Sequence, residues 1–382
     1  MTLTRFATKN AFRNRRRSFL TAISISFSLL LLTILMSVYR GWYLDKGSVD
    51  SQLRVITRHK VSLVFSLPSF YREKVRTIPG VVHVSPWNWF GGLYKDDKPE
   101  NFFFQFSVDP NEIFDVLPDF KIAPDQLEAF KRDRAGTAVA RPLAQKHKWN
   151  LGDHIVIKGT IYPVNPELTI RAMFDPPSPF DGILFNKEYL DQAVPRAKGK
   201  TGTLYTLVDS PDHIPQVSQA IDRMFENSPE PTKTESEKAF GLDFIGSIGN
   251  VKLFILGISG AVVFTILLVS GNTMAMTIRE RTREVAVLKT LGFTKGRILS
   301  LYVGEAITIS LIGGLIGSLA ASLLLFVISK AAFANFFGLP KPTLSILGAS
   351  LFVAALVGFI STIVPAYNAS RRNIVEGLRH IG

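Results

Sequence analysis

The sequence predicts an α+β membrane protein, with four transmembrane helices and a large α/β extracytoplasmic domain inserted between spans one and two. Two observations predict the membrane part. Four runs, Ser18 to Tyr39, Leu253 to Ile278, Ala306 to Ser329 and Pro342 to Ser370, hold no charged residue. The shortest is 22 residues long, against the roughly 20 that a helix needs to cross a bilayer. The basic residues are also placed one-sidedly. Met1 to Arg17 carries six basic and no acidic residues, Arg279 to Arg297 six against two, and Arg371 to Gly382 three against one. The segment Arg40 to Lys252 holds 27 of each sign, so it adds nothing to the net charge of +13. Lys and Arg close to span ends stay in the cytoplasm. Both termini and the loop between spans two and three are therefore predicted to be cytoplasmic, and the large inserted segment external.

The chain divides accordingly. A basic segment at 1–17 precedes span one at 18–39, and an external domain with stalk ends occupies 40–252. Span two at 253–278 leads to a cytoplasmic loop at 279–300. Span three at 301–329, a short external turn at 330–343, span four at 344–366 and a cytoplasmic tail at 367–382 complete it. In the first segment Leu3, Phe6, Ala7 and Ala11 recur at helical spacing among Arg5, Lys9, Arg13 and Arg16, which suits a helix lying on the inner membrane surface. A basic flank that only fixes orientation explains the same residues. The first apolar run exceeds the 7–15 residues of a signal-peptide core and is followed by MSVYRGWY rather than small residues, so it is expected to remain as an anchor.

Composition narrows the function classes. A pI near 9.8 suits nucleic-acid binding, but basic residues at span ends are explained by topology and anionic headgroups, so no nucleic-acid partner is expected. No cysteine occurs, and an external domain of this length has enough core to fold without disulfides.

In the external segment, Val61–Pro68 and Val81–Phe90 read as strands, with a helix between them capped by Ser69. NFFFQFSV, HIVIKGTIY, LTIRAMF and TLYTLV are further strand candidates, while PLAQKHKW and PDHIPQVSQAIDRMFENS read as helices. Strand, helix and strand recur at both ends, as in two-layer subdomains built on sheets. Pro163–Pro179 reads as a loop or hinge. Arg40–Arg54 and Glu235–Val251 form the stalk if the spans continue outward as helices, although Gly246 and Gly249 weaken the second half.

No enzymatic signature emerges. The chain has no GxxxxGK[ST] loop, no HExxH and no GxSxG. Its histidines (His59, His83, His147, His154, His213 and His380) lack metal-ligand spacing.

The informative loop is RERTREVAVLKTLGFTKGRILSLYVGEA. Val285, Leu288 and Leu291 recur at helical spacing, with Arg281, Arg283, Glu284 and Lys289 on other faces. Gly292 is placed to end this helix in a left-handed turn, and Thr294 to cap the next. The result is a finger with Phe293 near its tip. It reads either as an ordinary basic loop or as an apolar tip that docks into a partner's groove.

The strings TREVAVLKTLGFTKGRIL, GEAITISLIGGLIGSLAA, PAYNASRRNIVEGLR and ATKNAFRNRRRSFLTAISI resemble the MacB/FtsX-type ABC transporter permeases. TAVARPLAQKHKWNLGDHIVI and VSQAIDRMFENSPEPTKTESEKAF are similar to that family's periplasmic core domain. Gly377 stands where Ala is usual and Ile374 where Pro is common. The resemblance implies a half-transporter of the bacterial inner membrane, without catalytic residues of its own. Two copies, identical or paralogous, would pair and bind a cytoplasmic ATPase chain that carries the ATP and Mg; no cofactor is expected here. Glu284, Val285, Leu288, Lys289, Leu291, Gly292, Phe293 and Lys295 would form the coupling helix on that ATPase. ATP-driven closure would move the external domains through the stalks, an action called mechanotransmission.

Two membrane features are read on physical grounds. Ser310, Gly313, Gly314, Gly317 and Ser318 give span three a small-residue face for close helix approach, either within one chain or across a dimer. Glu305 at the inner end of span three is read as an interfacial carboxylate in water; if buried, it needs a partner such as Arg279 or Arg281. The expected function is export or extraction of a hydrophobic or envelope substrate, with lipid or lipoprotein favoured because Trp87, Trp89, Phe90 and Phe102 to Phe104 could meet acyl chains. The same aromatics also suit a core strand. Drug or peptide efflux with a periplasmic adaptor, and an FtsX-like signalling permease regulating a cell-wall hydrolase, are the alternatives. A lipoprotein and membrane lipids complete the expected partners.

Overall fold

A computed structural model of the chain describes residues 15–45, 47–177, 180–247, 249–328 and 343–371. The predicted surface helix over 4–17 falls almost wholly outside them, as do the turn at 330–342 and the tail from 372, including Ile374 and Gly377.

The chain forms two compact units, one of long helices and one of residues between Asp45 and Gly249. The first begins with α1 (Arg15–Tyr39), which runs on into a π-helical turn at Arg40–Leu44. A 3₁₀ turn at Asp50–Leu53 then leads to β1 (Arg54–His59). In chain order follow β2 (Leu67–Pro68), α2 (Tyr71–Arg76), β3 (Val81–Trp89), β4 (Phe104–Val108), α3 (Ile113–Val116), β5 (Lys121–Ile122) and α4 (Pro124–Arg132). Next come β6 (Gly136–Ala140), α5 (Arg141–His147), β7 (His154–Val156), β8 (Glu167–Asp175), β9 (Gly182–Asn186) and α6 (Lys187–Ala193). The unit closes with β10 (Lys200–Thr201), β11 (Thr203–Val208), α7 (Ile214–Met224), β12 (Thr232–Ser236) and α8 (Glu237–Gly246). The helical unit resumes with α9 (Val251–Glu280), α10 (Thr282–Thr290), α11 (Lys295–Ile328) and α12 (Leu344–Arg371). Residues Arg16–Leu44 and the helices α9, α11 and α12 are long and apolar enough to cross a membrane.

In the inserted domain ten strands share one sheet, in the order β12-β1-β11-β3-β4-β9-β6-β8-β5 with β7 beside β8. The first four are antiparallel neighbours. With α2 and α7 they make a βαββαβ unit in strand order 4-1-3-2, the split-βαβ arrangement of ferredoxin-like folds. Residues 90–202 are an insertion between its second and third strands. The insertion extends the same sheet through β4, which pairs antiparallel with β3 and parallel with β9.

Two separate cores follow from this division. Under α2 and α7 lie Val55, Tyr71, Val75, Val84, Leu204, Ile221 and Phe225, with Tyr71 and Phe225 stacked at 3.7 Å. The insertion buries its own set around Phe103, Phe130, Leu143, Ile170, Phe174 and Phe185.

Several expectations are corrected. The stretch Val61–Ser66 is not a strand: it is a turn with Val61, Val64 and Phe65 exposed, and only Leu67–Pro68 pairs, with β10. The missed strand is β1, buried at every residue. Ser69 does not cap α2; Phe70 holds that position, and the Ser69 hydroxyl has no partner. The predicted strand over 154–162 stops at Val156, and the Pro163–Pro179 stretch holds β8 rather than being all loop.

Arg54 is 2% exposed and inserts between two carboxylates. Its Nη1 donates to Asp119 Oδ1 at 2.6 Å and its Nε to Glu237 Oε2 at 2.5 Å, while the Ser48 hydroxyl donates to Asp119 at 2.7 Å. Burial opposes the guanidinium's charge, but the Asp119 and Glu237 contacts outweigh it and push the Arg54 pKa up. Burial likewise raises Asp119, yet the hydrogen bonds from Arg54 and Ser48 win and hold its carboxyl below the usual range.

Because folded Asp119 binds its proton more weakly than the unfolded chain does, its contribution is full above the ordinary aspartate pKa and is lost as pH falls through the lowered value. The isolated segment Asp45–Gly249 should therefore melt cooperatively near neutrality, and its acid unfolding should be shallower in Asp119→Asn. A chemical-denaturation series from neutral to acidic pH measures both. Non-cooperative melting would show that the domain is not an independent fold, and equal acid slopes that Asp119 does not titrate with folding.

Candidate functional site at the α10 finger

The finger begins where α9 breaks. Arg281 caps both helices with φ −97° and ψ 16°, outside the helical well, so α10 leaves in a new direction. Two ion pairs flank that break. On one side the Arg17 guanidinium forks onto Glu280 at 2.8 and 2.7 Å and also reaches the Thr277 hydroxyl at 3.1 Å. On the other, Arg281 Nη1 donates to both oxygens of Glu305, at 2.9 and 3.2 Å. Both pairs line one cavity of about 240 Å³, together with Ser270, Thr273, Glu284 and Ser310.

Glu305 is 3% exposed, so it is not the water-facing carboxylate expected; the guanidinium of Arg281 neutralises it. Burying both charges costs several kcal/mol each, recovered only by good geometry. The two-point contact from Arg281 supplies that geometry.

α10 presents two faces. Val285 and Ala286 are buried, and Val285 packs with Ile278, Ile298, Tyr302, Ala366 and Ala369. Val285 is thus part of the bundle interior and is unavailable to a partner. Leu288 and Phe293 are half-buried, Phe293 against the same cluster. The exposed apolar residues are Leu291 at 71% and Val287 at 45%, the latter missed in the sequence because it falls outside the Val285-Leu288-Leu291 spacing. Glu284 lines the cavity, Lys295 is exposed, and the Arg279 carbonyl accepts a hydrogen bond from the Thr282 hydroxyl. Burial and the charge of Lys295 hold the Lys289 pKa below its usual value.

Gly292 ends the helix at φ +86°, a left-handed conformation that favours glycine. The Arg297 amide donates to the Thr294 hydroxyl at 3.4 Å, capping the start of α11.

Beyond the finger, α11 lies close against its neighbours along one glycine face. A Cβ on Gly317 would meet the Ser26 carbonyl oxygen of α1 at 2.3 Å, and one on Gly313 the Ala22 carbonyl oxygen at 2.9 Å. A Cβ on Gly314 would meet Ala354 of α12 at 2.8 Å. Ser310 and Ser318 are buried beside them. Within one chain this face is occupied by α1 and α12. Gly358 returns the arrangement from α12, where a Cβ would meet the Ile307 backbone at 2.9 Å.

The aromatics of the inserted domain divide between core and surface. Phe90 and Phe103 are fully buried and Trp87 nearly so, while Phe102 is exposed. Trp89, Phe104, Phe106 and Phe180 form a half-buried row on one sheet face, with Phe104 stacked on Phe180 at 5.8 Å and Trp89 edge-on to Phe106 at 5.3 Å. Among the described residues no cluster of His, Asp and Glu could hold a metal.

Comparison with known proteins adds relatives. Residues 256–374 match the family model described as FtsX-like permease C-terminal. An uncharacterized ABC transporter permease of Methanocaldococcus jannaschii is 23% identical over 98% of this chain and 96% of its own length. The macrolide export ATP-binding/permease protein MacB of Rhodopirellula baltica is 28% identical over 46% of this chain, and the match spans 26% of that longer protein. The Bacillus subtilis permease YknZ is 31% identical over 36% of this chain and 35% of its own. Among solved structures, the extracellular domain of YknZ covers 48% of this chain and 99% of that one (TM-score 0.36, 11% identity). The periplasmic region of MacB from Actinobacillus actinomycetemcomitans covers 50% and 92% (TM-score 0.38, 8% identity).

Gly317→Ala should force α1 and α11 apart, because the obstructing atom is backbone, at a cost of about 1–3 kcal/mol. Gly296→Ala, with nothing within 4 Å of its Cβ, should leave stability unchanged. Thermal melts of the detergent-solubilised chain, followed by circular dichroism, compare the two; equal melts would mean the seam is not tight.

Proposed function

We propose that this chain, an ABC transporter permease of the MacB/FtsX type, passes the work of ATP hydrolysis on a separate ATPase chain to its extracytoplasmic domain. The observation that carries this reading is the finger. Leu291 and Val287 stand exposed on a helix whose other face, around Val285, is locked into the bundle. An apolar surface on a firmly held helix suits docking into a groove of a partner. The chain supplies no catalytic residue in this scheme, and ATP and Mg belong to the partner.

In this reading the finger and both termini face the cytoplasm of a bacterial cell, following the charge asymmetry. Two copies pair in the inner membrane, and nucleotide-driven closure of the ATPases moves the extracytoplasmic domains by mechanotransmission. The cargo is hydrophobic or an envelope component, with lipid or lipoprotein first. The half-buried row of Trp89, Phe104, Phe106 and Phe180 favours it, since such a face suits acyl chains. A second reading, efflux of small organic molecules with a periplasmic adaptor, is favoured by relatives named for macrolide and pyoverdine export.

The double variant Val287→Asp with Leu291→Asp places charge where an apolar groove should receive the finger. It should insert and fold normally yet fail to co-purify with an ATPase from native membranes. Val285→Asp should instead lower bundle stability itself, because that side chain is internal. Unaltered co-purification of the double variant would remove the finger from the docking site. Cysteines introduced at Lys95 or Lys198, in a chain with none of its own, should react with an impermeant thiol reagent in intact cells whose outer membrane has been permeabilised. Reaction only after inner-membrane lysis would reverse the orientation.

A further inference from the structure

Within the inserted domain, the two chain segments that run to the membrane helices meet at one place. β1, reached from α1, pairs antiparallel with β12, which leads through α8 to α9. Arg58 of β1 reinforces the pairing through Glu235 of β12 at 3.2 Å and Asp243 of α8 at 2.5 Å. Arg54, four residues earlier, takes Glu237 from the start of α8. Its remaining arm reaches outside this edge, to Asp119.

Asp119 belongs to the other core. It follows α3, whose Ile113, Phe114 and Val116 are buried, and sits between Leu117 and Phe120 of the insertion's hydrophobic set. The 109–119 stretch is fastened at its opposite end too: Arg72 of α2 pairs with Asp109 and Glu112, each at 2.7 Å, and Arg76 pairs with Glu112. Two clusters of arginine thus hold one segment of the insertion against the first subdomain. Only the Arg54 cluster also holds the segments that run to the spans.

Strand register places the aromatics on the same sheet face as Arg54. Arg54 lies opposite Leu207, two residues from Tyr205, and Tyr205 lies opposite Ser85, two residues from Trp87. Side chains two apart share a face. Tyr205 stacks on Trp87 at 4.6 Å, Trp87 touches Phe106 at 4.5 Å, and Phe106 continues into the row with Trp89, Phe104 and Phe180. A chain of ring contacts therefore runs from Tyr205, on the same sheet face as Arg54, to the row.

We propose that Arg54, through Asp119, is the positioning residue that makes the aromatic-bearing insertion follow displacement of the two membrane-linked segments. The inference rests on the mechanotransmission reading above and adds the joint by which motion leaves the β1–β12 edge. Without the Asp119 arm, α8 and β1 still move together through Glu237, Arg58 and Asp243, while the insertion keeps its strand pairing, its aromatic contacts and the Arg72 cluster but loses the charged link to this edge.

The test uses the full chain with its co-purified ATPase in nanodiscs, with one spin label per copy so that distances are read between the two copies. A label at Phe244→Cys on α8 reports the membrane-linked edge, and one at Gln145→Cys on α5 reports the insertion. Nucleotide-free and vanadate-trapped ATP forms are compared. In an otherwise wild-type background both distances should shift on trapping. In Asp119→Asn the Phe244 label should shift as before, the Gln145 label by less than half as much, and ATPase turnover should stay within twofold; Asp119→Glu should restore the Gln145 shift. A full Gln145 shift in Asp119→Asn overturns the proposal. A Gln145 distance already displaced before nucleotide is added does so as well, since that marks a static packing role. Absence of any Phe244 shift in the otherwise wild-type background would instead count against mechanotransmission itself.

Discussion

The contact on which the helical unit depends is the buried pair of Arg281 and Glu305. A carboxylate ten residues into α11 lies about 15 Å along that helix from its start, deep enough that its charge must be met from inside the bundle. The residue that meets it is the one at which α9 stops, so the same guanidinium neutralises the carboxylate and marks the elbow. With the elbow fixed, the rotation of α10 follows: Val285 falls against Tyr302 and Ala369, and Val287 and Leu291 are turned out. Gly292 then reverses the chain where a residue with a Cβ would be strained. The exposed tip is thus set by an interaction made by other residues.

The inserted domain obeys a different constraint. A βαββαβ unit of this size buries one sheet face under its two helices and leaves the other open. The insertion and α8 supply cover for that second face, and they do so with charge as well as with apolar area. Arg54 and Arg58 occupy strand positions where aliphatic residues are usual. Buried arginines are costly unless every arm is engaged, and here carboxylates from β12, α8 and the turn after α3 engage them. A polar joint between two apolar cores is more directional than a greasy one, because its hydrogen bonds fail if the parts rotate.

Much of this was legible in the sequence where physical chemistry acts locally. Charge-free runs mark membrane helices because nothing else needs them, and Thr203–Val208 and Val81–Trp89 show the pattern that strands require. Gly292 announced its turn for the same reason. What stayed hidden depends on tertiary partners. β1 reads RVITRH and looks like surface, since its burial rests on Asp119, Glu235 and Glu237, far away in the chain. Val61–Phe65 imitates a strand by composition, yet no neighbour pairs with it. The fate of Glu305 turned on where α9 breaks, and the inward aim of Val285 on the rotation that the break imposes. Helical spacing identifies a face without saying which face is outward.

Pro365 lies inside α12, four residues after Ser361. Proline has no amide proton, so the Ser361 carbonyl loses its helical donor. That oxygen comes 3.6 Å from where a Gly271 Cβ would be, and the Ser361 hydroxyl shares a hydrogen bond with Ser270 of α9 at 2.9 Å. The residues past the proline, Ala366 and Ala369, are the part of α12 that packs on α10, whereas Ala354 and Gly358 before it close the glycine seam. Span four stays one continuous helix but gives up a backbone hydrogen bond between these two parts. The helix is therefore least braced by its own backbone at the level where its contacts change from the glycine seam to the finger.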